Sequence, residues 1–177
     1  MMGAGKTTIG RLLAKELGYC FFDTDFLIEQ LVGQSVSQIF ADAGEPRFRQ
    51  LETQVLAELS PYKNLAIATG GGIVLNPLNW SYLQHGLVIW LDVPIQQLWS
   101  RLQADETRPL LRTSDPLIRL QTLLQQRERF YAQADVQVTV AAGETSEQVV
   151  TRVLEEIPKV LRPEAPRISI PANGTRG

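Results

Sequence analysis

The chain has 177 residues, of which 44% are hydrophobic and 20% are charged, so it is long enough to bury one core without disulfides or structural metal ions. Its 17 basic and 19 acidic residues give a formal net charge of -2, which excludes a general electrostatic attraction to nucleic acid or anionic lipid. No run of about 18 apolar residues occurs and no charged segment leads into an apolar one near the start, so we expect neither a membrane span nor a secretory signal.

A single cysteine, Cys20, excludes an internal disulfide and fits a reducing compartment. We therefore expect a cytoplasmic protein. Because Cys20 lies in the apolar run of residues 19–22, we also expect its thiol to be buried and unreactive.

Short apolar runs alternate with amphipathic stretches along most of the chain. The apolar runs predict strands that are covered on both faces, at residues 19–22, 65–69, 87–91 and 136–140. The amphipathic stretches predict helices, several of them with a capping residue or proline at the start or glycine just past the end. These helices are predicted at residues 7–17, 26–31, 37–43, about 48–59, about 77–85, about 116–131 and from 146 onward.

Strands that alternate with helices indicate βαβ units, and therefore an α/β fold in which a parallel sheet lies between two layers of helices. The last segment, residues 158–177, contains four prolines and no helical periodicity. We expect it to be a disordered extension, which leaves residues 1–157 as the folded domain.

A phosphate-binding pattern lies near the start of the sequence, in Gly3-Ala4-Gly5-Lys6-Thr7-Thr8. Glycines allow backbone N–H groups to close around phosphate oxygens, Lys6 can neutralise the β- and γ-phosphates, and the Thr7 hydroxyl can bind Mg²⁺. The helix that follows directs its positive end at the same place. A glycine turn beside a helix is the purely structural alternative.

The complete phosphate-loop pattern requires one more glycine, five residues before Gly5, and a strand that leads into the loop. Neither is present in the 177 residues, so we expect the natural protein to start upstream. Without that strand, two neighbouring strands keep unpaired backbone groups, each costing about 1–3 kcal/mol when buried. We therefore expect an extended chain to be more stable and to bind ATP more tightly.

Two carboxylates, Asp23 and Asp25, follow the strand predicted at residues 19–22. Ligands of open parallel sheets bind at the carboxyl ends of strands, so both side chains are expected near the phosphate loop. The structural alternative is that Asp25 caps the next helix. The three glycines at 70–72 also follow a strand directly, which allows the backbone to approach a ligand closely; a flexible turn is the alternative.

Three arginines complete the predicted site. Arg49 borders the apolar stripe of its helix, and Arg127 shares a helical face with apolar residues, where a guanidinium needs an anionic partner. Arg108 lies in a polar stretch, residues 105–115, that suits a mobile lid over the phosphates. Solvated charges or an internal salt bridge are the alternatives for these arginines.

The order and spacing of these motifs resemble the shikimate kinase family over residues 1–157. The resemblance rests on Gly-Ala-Gly-Lys-Thr (3–7), Asp-Thr-Asp (23–25), Gly-Glu-x-x-Phe-Arg-x-x-Glu (44–52), the glycines 70–72, Arg-Pro-Leu-Leu (108–111), and Arg127 before Tyr131. The surroundings of Trp80 and Trp90 look most similar to cyanobacterial and plastid members.

The resemblance implies a fold of the nucleoside-monophosphate-kinase type, with a five-stranded parallel sheet of order 2-3-1-4-5, a substrate-binding region at about 26–60 and a lid at about 105–115. Here the first, central strand would be the missing one. The implied activity is ATP-dependent phosphorylation of the 3-hydroxyl of shikimate, a step in the synthesis of chorismate and aromatic amino acids.

Site roles follow from the same resemblance. Asp25, Lys6 and Arg108 would be catalytic, and Thr7 and Asp23 would bind Mg²⁺. The residues expected to contact ATP are Gly3, Ala4, Gly5, Lys6, Thr7, Thr8, Arg101, Arg108 and Thr145. Those expected to contact shikimate are Asp25, Arg49, Gly70, Gly71, Gly72 and Arg127.

Two alternatives remain. Another P-loop metabolite kinase, for example a gluconate kinase, would share the phosphate loop, and a non-catalytic kinase-like protein would share the fold. The pair Arg49 and Arg127, with Asp25 nearby, favours shikimate. The missing strand favours the non-catalytic alternative, whereas catalysis is favoured by the joint retention of Lys6, Thr7, Asp23, Asp25 and Arg108. We expect a monomer whose partners are small molecules rather than nucleic acid or membranes.

Overall fold

The computed structural model describes residues 1–103, 109–111 and 113–161. Its strands are β1 (Cys20–Asp23), β2 (Leu65–Ala68), β3 (Ile89–Asp92) and β4 (Val136–Thr139). Its helices are α1 (Lys6–Leu17), α2 (Thr24–Val32), α3 (Val36–Leu59), α4 (Pro77–Leu83), α5 (Ile95–Leu102), α6 (Pro116–Tyr131) and α7 (Ser146–Val160). Short 3₁₀ turns occupy Ile73–Leu75 and Pro109–Leu111.

The four strands form two parallel pairs. In one pair Cys20 lies opposite Leu65, and in the other Ile89 lies opposite Val136. Strand β1 pairs with β2 and β3 pairs with β4, as strands 2-3 and 4-5 do in the expected order, and the described residues contain no strand between β2 and β3. The α/β class is confirmed.

Two helices connect the pairs. Helix α1 packs against β1, β2 and α7, and α7 in turn packs against β4. The main core lies around these contacts and includes Ile9, Leu13, Trp90, Leu98, Leu120, Val138 and Val153. A second cluster lies between α2 and α3, where Ile28, Ile39, Phe48, Leu51 and Val55 are buried.

Helix boundaries follow the capping residues that the sequence contains. Gly18 ends α1 with φ 67°, a left-handed conformation that glycine adopts without a steric penalty. The Thr145 hydroxyl accepts from the Gln148 N–H, and the Gln148 side chain binds back to the Thr145 N–H, so the predicted capping box is present. Proline occupies the first turn of both α4 and α6.

The break predicted at Gly44 is confirmed, because Gly44 turns the chain at φ 77°, ψ 171°, and Pro46 begins the second helical stretch of α3 slightly before its predicted start. Two expectations were wrong. Helix α7 continues through Pro158 to Val160, three residues into the segment assigned to the tail, because Val149, Val150 and Val153 bury its apolar face. Cys20 is exposed rather than buried.

Residues 162–177, the remainder of the predicted tail, lie outside the described residues. Among the helices that the structure describes, none combines the length and the apolar character that a transmembrane span requires.

Candidate active site

One cleft of about 330 Å³ brings together most of the predicted site residues. Its phosphate-loop side is lined by Met2, Gly3, Gly5, Lys6, Thr7 and Thr8, with Asp23 and Asp25 beside them. Its other side is lined by Val36, Phe40, Phe48, Arg49, Glu52, Thr69, Gly70, Gly71, Gly72, Pro109, Leu110 and Arg127. The cleft therefore has one end at the predicted phosphate loop and another end that carries two arginines.

Two glycines with positive φ shape the phosphate loop. Gly3 (φ 73°) and Gly5 (φ 83°) are left-handed, and Gly5 leads directly into α1. A Cβ on Gly3 would lie 3.0 Å from the Leu102 side chain, so α5 also limits this position to glycine. Arg101 reaches the loop from α5, where its Nη1 donates to the Gly3 carbonyl at 3.0 Å.

Asp23 joins the phosphate loop to α2. Its Oδ2 accepts from the Thr7 hydroxyl at 2.7 Å, while its Oδ1 accepts from the Asp25 N–H at 3.0 Å. Asp23, and not Asp25, is therefore the cap of α2, and Asp25 lies in the first turn of that helix. Capping fixes the Asp23 carboxylate beside Thr7, at the start of a helix whose dipole favours negative charge there.

The Thr7 hydroxyl and the Asp23 carboxylate form a pair of hard oxygen donors at the end of the cleft. Mg²⁺ prefers such oxygens and usually takes few protein ligands, with phosphates and water supplying the rest. The described residues contain no cluster of three or more His, Cys, Asp or Glu side chains that would hold a metal by themselves. The donor set therefore fits Mg²⁺ bound together with a nucleotide.

Arg49 is held between two glutamates of its own helix. Its Nη2 donates to Glu45 Oε1 at 2.7 Å, and its Nη1 donates to Glu52 Oε2. Burial alone would lower the pKa of Arg49, but the Glu52 and Glu45 carboxylates together raise it above its ordinary value. Arg49 is therefore a fixed positive charge at the cleft wall.

Glu52 is completely buried beneath the cleft. Burial raises the pKa of its carboxyl, although the Arg49 guanidinium opposes this effect, and the neighbouring charge of Asp25 raises it further. In the described part of the chain, Glu52 Oε1 meets no hydrogen-bond donor. Glu52 therefore pairs with Arg49 through one oxygen and packs against the glycine turn at Gly70 with the other.

The glycines of the 70–72 turn make room for these charged side chains. A Cβ on Gly70 would overlap Glu52 Oε1 and approach Asp25 Oδ1 to 3.2 Å. A Cβ on Gly72 would overlap the Arg49 guanidinium. The turn is therefore glycine because side chains from α2 and α3 press against its backbone, and not because it is a flexible linker.

Arg127 projects into the same cleft from α6 and is only 3% exposed. One turn later, the Tyr131 hydroxyl donates to the Gly71 carbonyl at 2.6 Å. Burial raises the pKa of Tyr131, although the positive charge of Arg127 acts in the opposite direction. The two arginines thus approach the glycine turn from different helices.

Not every predicted site residue lines the cleft. Ala4 is buried beneath the loop, Arg101 contacts the loop backbone from outside, and Thr145 serves as the cap of α7. Arg108 and most of the expected lid lie outside the described residues. Pro109 and Leu110, which follow Arg108, do reach the cleft.

Sequence reasoning assigned no role to Glu45, Glu52 or Tyr131. Glu52 carried a signal, because it lies four residues after Phe48 and three before Val55 on a buried helical face, where a carboxylate needs a cationic partner. Tyr131 carried a similar signal, because it lies four residues after Arg127 on the buried face of α6. Glu45 carried none, since an exposed glutamate one turn from an arginine is common on helices.

The sequence of this chain matches the family model described as "Shikimate kinase" over residues 2–158. A shikimate kinase from Nostoc sp. (strain PCC 7120) is 56% identical over 165 residues, covering 93% of this chain and 91% of that protein. A shikimate kinase from Thermosynechococcus vestitus is 54% identical over 166 residues, covering 94% and 91%. These cyanobacterial relatives agree with the resemblance seen around Trp80 and Trp90.

Solved structures of shikimate kinases also match this chain, at lower sequence identity. Shikimate kinase from Acinetobacter baumannii, solved in complex with shikimate, superposes with a TM-score of 0.83 at 38% identity and covers 89% of each chain. Shikimate kinase from Aquifex aeolicus superposes with a TM-score of 0.77 at 33% identity, covering 89% of this chain and 92% of that one.

Proposed function

Because the chain belongs to the shikimate kinase family, we propose that it transfers the γ-phosphoryl group of ATP to the 3-hydroxyl of shikimate, giving shikimate 3-phosphate and ADP. The observation that carries this proposal is the single cleft that has a phosphate loop at one end and Arg49 and Arg127 at the other. A phosphate donor and a small carboxylate fit such a cleft side by side. We further propose that the protein acts as a cytoplasmic monomer.

At the phosphate end, the backbone N–H groups of the loop and Lys6 would bind the β- and γ-phosphates of ATP. Lys6 Nζ donates to the Met1 carbonyl at 2.7 Å, which holds the amine at the edge of the loop. Thr7 and Asp23 would bind Mg²⁺, which supplies positive charge to the phosphates when bound. The contacts of Arg101, Arg108 and Thr145 with ATP remain proposals that rest on the family.

At the other end, Arg49 and Arg127 would bind the carboxylate of shikimate, because planar guanidinium groups pair well with carboxylates. The backbone of the glycines 70–72 would contact the ring. Asp25, in the first turn of α2 and on the wall of the same cleft, would accept the proton of the attacking hydroxyl or orient it. The protein thus contributes positioning and charge stabilisation to an in-line transfer.

A coupled ADP-release assay with ATP, Mg²⁺ and shikimate tests the proposal, with mass spectrometry of the product. We expect a product 80 Da heavier than shikimate, the mass of one transferred phosphoryl group (about 80 Da by composition). Lys6→Ala should abolish transfer while leaving the melting temperature unchanged. Transfer to gluconate but not to shikimate would support a different metabolite kinase, and no transfer to either would contradict the proposed activity.

A further inference from the structure

We infer that Tyr131 is a positioning residue for the substrate end of the cleft, where its hydroxyl fixes the Gly71 carbonyl and through it the spacing between the two arginines. The inference rests on the proposed function, because it concerns the affinity of the same site for a carboxylated substrate. Tyr131 does not line the described cleft, so it acts through the groups that its hydroxyl meets, the Gly71 carbonyl and the Arg127 side chain, and not by contact with the substrate.

The hydrogen bond itself is short and buried. The Tyr131 hydroxyl donates to the Gly71 carbonyl at 2.6 Å, and the side chain is 6% exposed. Its ring lies 5.8 Å from the Trp90 ring, so strand β3 limits its movement. Burial raises the pKa of the phenol, which therefore stays protonated and remains a donor near neutral pH.

Tyr131 holds one point of a turn that is fixed at several others. The Gly70 N–H donates to the Thr24 hydroxyl at 3.3 Å. Beyond the turn, the Ile73 and Val74 carbonyls accept from the Asn79 and Trp80 side chains at 2.8 and 3.0 Å. Among the described residues, Tyr131 is the side chain that satisfies the carbonyl in the middle of the turn.

The hydrogen bond between Tyr131 and Gly71 affects the relative positions of Arg49 and Arg127. Tyr131 follows Arg127 by one turn of α6, so the hydrogen bond sets the distance between that helix and the glycine turn. Gly72, the next residue after Gly71, has no space for even a Cβ beside the Arg49 guanidinium. A shift of the Gly71 carbonyl therefore moves the contact surface of Arg49 relative to Arg127.

Tyr131→Phe isolates the hydroxyl, because the ring and its packing against Trp90 are retained. We expect the KM for shikimate to rise about 5- to 100-fold, because without this bond the Gly71 carbonyl moves and the two arginines lose their spacing. We expect kcat and the KM for ATP to change less than about twofold, because the hydroxyl approaches the phosphate-loop side only through a long contact of 3.6 Å with the Met1 sulfur among the described residues. Tyr62→Phe, at a tyrosine that is 70% exposed, is the matched control and should change none of these values.

The outcome separates positioning from general structural support. Three results would each overturn the inference. They are a rise in both KM values together with an equal fall in kcat, a failure of the variant to fold, and an unchanged KM for shikimate. Wild-type protein that neither binds nor phosphorylates shikimate would instead contradict the proposed function, and an Arg127→Ala variant that binds shikimate normally would contradict the assignment of the site. These two results are read before the Tyr131 variant is interpreted.

Discussion

At the substrate end of the cleft, Arg49 contacts two glutamates that differ in exposure. The Glu52 side chain is fully buried, whereas that of Glu45 is 40% exposed. A buried partner keeps the guanidinium in place, but an exposed partner can exchange with solvent or with a substrate carboxylate at little cost. Glu52 is therefore the fixed support of Arg49, and Glu45 occupies the Nε and Nη2 donors of Arg49, which a carboxylate could otherwise use.

Replacing Glu45 should improve substrate binding. We expect Glu45→Gln to lower the KM for shikimate about two- to fivefold, because the substrate no longer displaces an exposed ion pair. Glu58→Gln, at an exposed glutamate of the same helix, is the control and should leave KM unchanged. A higher KM in Glu45→Gln would mean that Glu45 orients Arg49 instead of competing for it.

Glu52 should leave a signature in the pH dependence of stability. Its folded-state pKa is raised above the ordinary value of 4.5, so the folded protein binds a proton more tightly than the unfolded chain does. The stabilisation is fully present below about pH 4.5 and is lost as the pH rises through the folded-state pKa. Urea titrations give the free energy of unfolding at each pH. As the pH rises from about 4.5 to the folded-state pKa of Glu52, this free energy should decline less steeply in Glu52→Gln than in wild type. Parallel curves for the two proteins would contradict this assignment.

Asp25 is expected to affect the rate more than binding. Asp25→Asn should lower kcat about 10²- to 10⁴-fold, because an amide still hydrogen-bonds the substrate but neither accepts its proton nor offers negative charge in the transition state. Shikimate affinity, measured by calorimetry, should change much less. A variant with normal kcat and a raised KM would assign Asp25 to binding alone.

At the scale of elements, local sequence signals predicted where most helices begin and end, and tertiary packing decided the exceptions. Gly18 and Thr145 act within one turn of their own backbone, so the sequence alone sufficed to place them. The continuation of α7 through Pro158 depends on Leu154 and Ile157, which pack against the main core. The local sequence around Pro158 does not contain that information.

The glycine turn allows a test at this scale. Gly72 has φ −94°, a value that alanine adopts readily, so Gly72→Ala adds only a methyl group that overlaps the Arg49 guanidinium. We expect the KM for shikimate to rise about tenfold or more, with little change in the KM for ATP. Gly86→Ala, where a methyl group would meet no atom within 4 Å, is the matched control. Equal effects of the two substitutions would show that Gly72 does not position Arg49.

At the scale of the whole molecule, the alternation of strands and helices predicted the α/β class and the parallel pairing, but not what holds the two strand pairs together. That connection is the packing of α1 against α7, two helices that lie far apart in sequence. The same contrast between local sequence signals and tertiary packing applies to the cleft. Its individual motifs were recognisable in the sequence, whereas the packing of Glu52 against Gly70 and the contact between Tyr131 and Gly71 required distant elements to meet in space.

The contact between α1 and α7 predicts that both strand pairs unfold together. Val153 of α7 is fully buried in the main core, so Val153→Ala should lower the free energy of unfolding by about 2 kcal/mol. Two probes report on the two halves separately. A dye on the exposed Cys20 follows β1, and the three tryptophans all lie on or beside the β3 half, in α4, β3 and α5.

Urea titrations of the labelled protein should give one midpoint for both probes, and Val153→Ala should lower both midpoints equally, because a single cooperative unit loses stability as a whole. Val160→Ala, at a partly exposed valine near the end of the same helix, is the control and should move neither midpoint appreciably. A variant in which the tryptophan midpoint falls while the Cys20 midpoint stays in place would show that the two strand pairs fold independently, and that α1 and α7 do not couple them.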